Sequence, residues 1–186
     1  MIGFAMCGSY CTHRMALEQL RLLAEKGFSI QPVLSENVYA TDTRFGSASH
    51  LINQVEGICG RSVIHSVVDA EPLGPAVPLD ALIICPCTGN TLAKMAAGIT
   101  DSSVTMAAKA HLRGDRPLVI ALASNDALSA NLKNIATLLT RKCVYFVPLK
   151  QDDPQKKPHS LIADFSLLEP TLVSAMEGKQ LQKLFV

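Results

Sequence analysis

Short, unbroken apolar runs alternate with amphipathic stretches along most of this chain. Ile2 to Met6 reads as a first strand that ends in Cys7-Gly8-Ser9. A helix is predicted from about Thr12 to Lys26, where Met15, Leu17, Leu20, Leu22, Leu23 and Ala24 supply an apolar face and Gly27 suits the position after the last turn. Phe28 to Ser35 reads as a second strand, with Pro32 tolerable at an edge or a bulge. Ser49 to Cys59 reads as a helix stopped by Gly60, and Ser62 to Val68 as a weak third strand. The clearest strand is Ala81 to Cys85, continuously apolar, with Pro86 expected to end it. Helices are then predicted over Thr91 to Ile99, from a Ser102 or Ser103 cap to Arg113, and over Leu128 to Lys142. Between the last two lies an apolar strand, Leu118 to Ala123. Val144 to Val147 reads as the final strand, Gln151 to Pro158 as a loop, and Leu161 to Met176 as a closing helix with a potential break near Pro170.

Strand followed by helix, repeated, predicts right-handed βαβ units. The expected fold class is α/β: one three-layer, Rossmann-like, doubly wound parallel sheet over residues 1–186. Ala81 to Cys85 and Leu118 to Ala123 are its expected interior strands. Such sheets present ligand contacts in the loops beyond the carboxyl ends of their strands. Here those loops are Cys7 to Cys11, Ser35 to Ser47, Pro86 to Thr91 and Ser124 to Asn131, and they hold most of the unusual polar residues.

Composition narrows the function classes. With 48% hydrophobic residues and a mean hydropathy of +0.25, the chain can bury a sizeable core and further surface against copies of itself, so a homo-oligomer is expected. A formal net charge of +1 offers no basic field for nucleic acid. No apolar run is long enough to span a bilayer, and no basic stretch followed by an apolar leader opens the chain; a soluble, cytoplasmic protein is expected. The six cysteines have neither zinc-knuckle nor CxxC spacing, so reduced thiols and no bound metal are expected.

Each loop carries candidate chemistry beside a plainer reading. Gly8 and Ser9 stand where unpaired N–H groups at a helix start can take a phosphate, although neither a P-loop nor GxGxxG is present; a tight turn with a capping hydroxyl is equally compatible. In Thr41-Asp42-Thr43-Arg44-Phe45-Gly46, Arg44 can grip a carboxylate with two parallel donors, positioned by Asp42 or a threonine, or else form a surface ion pair. Thr88, Gly89, Asn90 and Thr91 combine donors, acceptors and one position open to close backbone approach; a simple N-cap explains one of them but not the group. Asn125 and Asp126 are either caps or ligand contacts on the same rim.

Cys7-Gly8-Ser9 before a helix, and Pro86-Cys87-Thr88-Gly89-Asn90-Thr91 after the most buried strand, resemble the FMN-binding cysteine-type decarboxylases. Departures are plain. Glu71 to Asp80 holds no counterpart of that family's catalytic histidine. Leu122 to Ser129 shares only Asn125 with its substrate clamp, and the chain has no tryptophan. A fuller resemblance, to the B subunits of dipicolinate synthase, covers essentially the whole chain through the segments 41–46, 70–75, 124–128, 145–148 and 156–161. It implies oxidation of a dihydrodipicolinate-type cyclic dicarboxylate to dipicolinate, using NADP and a nucleotide-binding A subunit, in the mother cell of a sporulating bacterium. It implies cofactor contacts, FMN if a flavin is bound, at Gly8, Ser9, Ser35, Thr88, Gly89, Asn90 and Thr91. Arg44 is then the expected substrate contact, and Asp126 with Asn125 the expected catalytic pair. The alternatives are a flavin-dependent decarboxylase and a non-catalytic binding subunit.

Overall fold

The computed structural model describes residues 1–74 and 76–186; Pro75, the last residue of the 70–75 segment, lies outside them. The amino-terminal half contains β1 (Ile2–Met6), α1 (His13–Glu25), β2 (Ile30–Leu34), α2 (Glu36–Ala40), α3 (Ala48–Cys59) and α4 (Val67–Ala70). There follow β3 (Leu82–Thr88), α5 (Gly89–Ala97), α6 (Ser103–Leu112), β4 (Leu118–Ser124) and α7 (Leu132–Leu139). The chain closes with β5 (Val144–Phe146), β6 (Leu149–Gln151), β7 (Leu161–Ala163) and α8 (Leu168–Met176).

Among the described residues, seven strands form one sheet in the order β2-β1-β3-β4-β7-β6, with β5 also paired to β4. β1 through β5 pair in parallel, whereas β7 runs antiparallel to β4 and to β6. Helices flank this sheet in two groups: α1 contacts α3 and α8, while α6 contacts α4 and α5, and α5 contacts α7. The doubly wound α/β expectation therefore holds. β3 and β4 are interior and buried almost throughout, because runs such as Leu82-Ile83-Ile84-Cys85 have no polar face to give to water.

Pro32 sits on the edge strand. Its carbonyl accepts from Ile64 N (3.0 Å) and Leu34 N donates to Ile64 O (2.9 Å), so that side of β2 faces away from β1 and the missing N–H costs β1 no ladder bond. Pro86 does not end β3, as the sequence suggests. The strand continues to Thr88 with a register shift between Ile84 and Cys87, and Pro86 O accepts from Cys7 N (3.1 Å). That continuation carries Thr88 to the rim beside the β1 loop.

Four further expectations are corrected. Ser62 to Val68 is no strand: a single bridge joins Ile64 to Val33, and Ser66 Oγ caps α4 by accepting from Asp69 N (3.1 Å). Leu161 to Ala163 forms β7 rather than opening the closing helix, and Asp164 then caps a short 3-10 turn that leads into α8. Pro170 lies in the first turn of α8 and does not break it, since N–H groups there have no intrahelical partner to lose. Finally, α7 begins at Leu132, because Asp126 O takes the N–H groups of Ser129 and Asn131 in a turn.

Candidate functional site

The carboxyl ends of β1, β2, β3 and β4 meet along one rim. Two adjoining concavities lie there. One, of about 490 Å³, is lined by Gly8, Ser9, Thr88, Gly89, Asn90 and the turn from Ala123 to Asp126 with Asn131. The other, of about 380 Å³, is lined by Cys7, Gly8, Tyr10, Ser35 to Asn37, Thr88, Asn90, Thr91, Lys94, Asp101 and Ser102. Gly8, Thr88 and Asn90 belong to both. The seven residues expected to hold a cofactor thus come together, along with Asn125 and Asp126.

The local sequence explains each placement. Thr88 is the N-cap of α5: its Oγ1 accepts from Thr91 N (3.2 Å) and donates to Thr91 Oγ1 (3.1 Å). Thr91 passes that chain inward by donating to Cys7 Sγ (3.2 Å). Burial pushes the Cys7 thiol up to about 11, and it holds Cys85 and Cys87 well above the usual thiol range, so these thiols are protonated and are not nucleophiles at neutral pH. Ser35 caps α2. Ser9, Asn90 and Asn125 make no side-chain hydrogen bond among the described residues and face the rim free to meet a ligand.

Gly89 is where the site is tightest. A Cβ there would overlap Ser124 Oγ, and would lie 2.6 Å from Asn131 Nδ2 and 3.0 Å from Asp126 Oδ1. Those groups form a compact network: Ser124 Oγ donates to Asp126 Oδ1 (2.6 Å), and so does Asn131 Nδ2 (2.9 Å). Chiefly the Ser124 hydroxyl, then the Asn131 amide, holds the Asp126 carboxyl below the usual carboxylate range. A carboxylate so stabilised is ionised at neutral pH and a weak base, better suited to orienting donors than to accepting a proton.

This yields a pH expectation. A depressed folded pKa contributes stability above the unfolded value of about 3.9, and that stability is lost as pH falls through the lower folded value. Asp126→Asn should therefore lower the melting temperature at pH 7, by an amount equivalent to about 1 kcal/mol given the carboxylate's partial exposure. It should also flatten the fall in stability below pH 4. Melting temperatures of variant and wild type measured between about pH 7 and pH 3 check this; the same pH dependence in both would show instead that Asp126 titrates as it does in the unfolded chain.

Arg44 stands apart. It is exposed on the turn closed by Thr43 and Gly46, with its guanidinium over the Phe45 ring at 4.9 Å, and it lines neither rim concavity. Asp42 does not position it; Asp42 Oδ1 accepts from Ala48 N (2.8 Å) and so caps α3. Sequence reasoning missed Tyr10, Glu36 and the Lys94–Asp101 ion pair (2.9 Å). Tyr10 spans from the first loop to α2 through its hydroxyl bond to Asn37 O (3.2 Å), and Glu36 Oε1 accepts from Ser103 N (2.8 Å). The Ser102–Thr105 capping box brings α6 to the same rim; its Ser-x-x-Thr spacing could have signalled it.

Residues 1–165 match the family model described as Flavoprotein. The B subunit of dipicolinate synthase from Bacillus subtilis (strain 168) is 43% identical over 185 residues, covering 100% of this chain and 92% of that protein. The chain belongs to the flavoprotein family, with the B subunits of dipicolinate synthase. Its structure is similar to that of the B subunit from Bacillus halodurans: TM-score 0.92 and 42% identity over 100% of this chain and 95% of that one. The FMN-dependent cysteine decarboxylase SpaF shares the fold at TM-score 0.66 and 23% identity, over 94% of this chain and 95% of its own. The fold thus persists at identities where few side chains are shared.

Proposed function

We propose that this chain is the B subunit of a dipicolinate synthase, acting with a nucleotide-binding A subunit in the mother cell of a sporulating bacterium. The likeness that carries the reading is the full-length match to dipicolinate synthase B subunits, close in both sequence and structure. The reaction is oxidation of dihydrodipicolinate to dipicolinate: the ring loses a hydride, taken by NADP⁺ held on the A subunit, and a proton. Self-association is part of the reading, supported by a composition that is 48% hydrophobic.

The donors at the rim fit FMN. The Ser9 hydroxyl is free, Ser35 still has its own proton to give, and the starts of α2 and α5 present N–H groups. Lys94 is committed to Asp101, so a phosphate there would be met by neutral donors. When bound, FMN would supply reversible two-electron chemistry. Gly8, Ser9, Ser35, Thr88, Gly89, Asn90 and Thr91 would hold it, and Asn125 and Asp126 would orient substrate beside it. Arg44 would meet a substrate carboxylate from its exposed turn.

Steady-state dipicolinate formation by this chain mixed with the A subunit tests the reading. Within that assay, Arg44→Lys should keep the melting temperature and lower kcat/KM about ten- to a hundredfold, because the charge remains while the bidentate fork is lost. Unchanged kinetics would remove Arg44 from the site.

A further inference from the structure

A third cavity, of about 520 Å³, lies between α1 and the turn at 41–47, on the other side of Tyr10 from the rim. We infer that it binds a small ring compound carrying two acidic groups. Arg14, Leu17 and Arg21 share one face of α1, being three and seven residues apart, and all three line the cavity. His50 and Leu51 of α3 face them, and Phe45 supplies a wall from the turn. Among the described residues, no aspartate or glutamate lines this space.

Neither Arg14 nor Arg21 makes a side-chain hydrogen bond or an ion pair among the described residues, in contrast to Arg61 and Arg116, which reach Ser29 and the Leu79 carbonyl. The start of α3 is not the anchor: Asp42 and Ser47 already accept its Ala48 and His50 N–H groups. Recognition falls to the two guanidiniums. Seven residues of helix separate them by roughly 10 Å along the axis, so their flexible stems can converge from both ends on one ring. Leu17, Leu51 and Phe45 offer apolar contact to its faces, the usual composition of a site for a small amphipathic ligand. The choice of a ring dicarboxylate rests on the proposed function; the concentration of unpaired cationic groups does not.

Calorimetric titration of the full chain with dipicolinate and with isophthalate, which keeps the two carboxylates and lacks the ring nitrogen, tests the inference. Both should bind wild type. Arg14→Gln and Arg21→Gln should each weaken binding about tenfold or more at unchanged melting temperature, whereas Arg113→Gln, away from the cavity, should not. No binding of either compound, or equal affinity in the Arg14 and Arg21 variants, overturns the inference. Turnover in the presence of the A subunit separates this from the parent reading. Turnover by wild type, with no arginine-dependent binding of either compound, sinks the cavity alone. Arginine-dependent binding without any turnover sinks the dipicolinate synthase reading and leaves the site.

Discussion

Gly89→Ala is expected to dismantle the carboxylate network at the rim while leaving the sheet folded. Gly89 opens α5, where alanine is ordinarily the better helix former, so propensity alone predicts a gain. Sterics reverse the sign. The new methyl would overlap Ser124 Oγ and crowd Asn131 Nδ2 to 2.6 Å, and both groups are buried with their hydrogen bonds committed to Asp126. They can retreat only by releasing the Asp126 carboxylate. Losing two hydrogen bonds to a charged acceptor costs about 2–3 kcal/mol here, since water can partly replace them. For a chain of this size that is roughly 4–12 °C in melting temperature. Ligand binding at the rim should fall with it, because Gly89, Asn125 and Asp126 line one concavity. Gly57→Ala is the control. Gly57 lies in the last turn of α3 with nothing within 4 Å of a new Cβ, and there the same change should stabilise by up to about 0.5–1 kcal/mol. A Gly89→Ala protein as stable as Gly57→Ala would mean that the rim has room for a methyl group after all.

Gly74→Ala should be the more damaging change for the fold. Gly74 has φ +138°, a conformation that L side chains rarely adopt, and its Cβ would overlap the Ala110 carbonyl oxygen and lie 2.7 Å from that carbonyl carbon. The obstacle is the backbone of α6, which cannot rotate away as a side chain can. Ala110 and His111 are themselves buried, and His111 Nε2 is tied to Pro117 O (2.9 Å), so α6 has little room to shift. Backbone strain and overpacking together suggest roughly 3–5 kcal/mol. Urea unfolding would show a much lower midpoint with little change in slope. A midpoint within error of wild type would indicate that the segment around Gly74 does not pack on α6.

Most of the sheet was legible because its central strands are continuous apolar runs and its helices carry clear stop signals. Gly60 takes the left-handed cap conformation that its place after an apolar periodic stretch suggests, whereas Gly98, expected inside a helix reaching Ile99, takes the same conformation and ends α5 at Ala97. What escaped was decided by pairing across long sequence distances. Leu161 to Ala163 is a strand only because the ends of β4 and β6 meet it, and a three-residue apolar run has no period to reveal that. Pro86 reads as a strand terminator, yet a register shift lets β3 pass through it. The rim residues after β1 and β3 were recognisable as polar groups at strand ends. Their tight contact with Ser124 and Asn131 was not, since it depends on how closely α5 approaches the β4 turn. Loop position alone did not give the arginines' surroundings: Arg44 stands on an exposed turn outside both rim concavities, while Arg14 and Arg21, exposed on an ordinary amphipathic helix, line a cavity.

The central claim, that this chain is one half of a dipicolinate-forming pair, is tested most directly by an omission experiment. Dihydrodipicolinate and NADP⁺ are supplied to the A subunit, to this chain, and to the two together, and dipicolinate is quantified by its ultraviolet absorbance or its calcium complex. Enzymatic dipicolinate formation far above the no-enzyme rate in the mixture, and at most a small fraction of it with either protein alone, is the predicted result. Equal dipicolinate formation by the A subunit with and without this chain would contradict the claim.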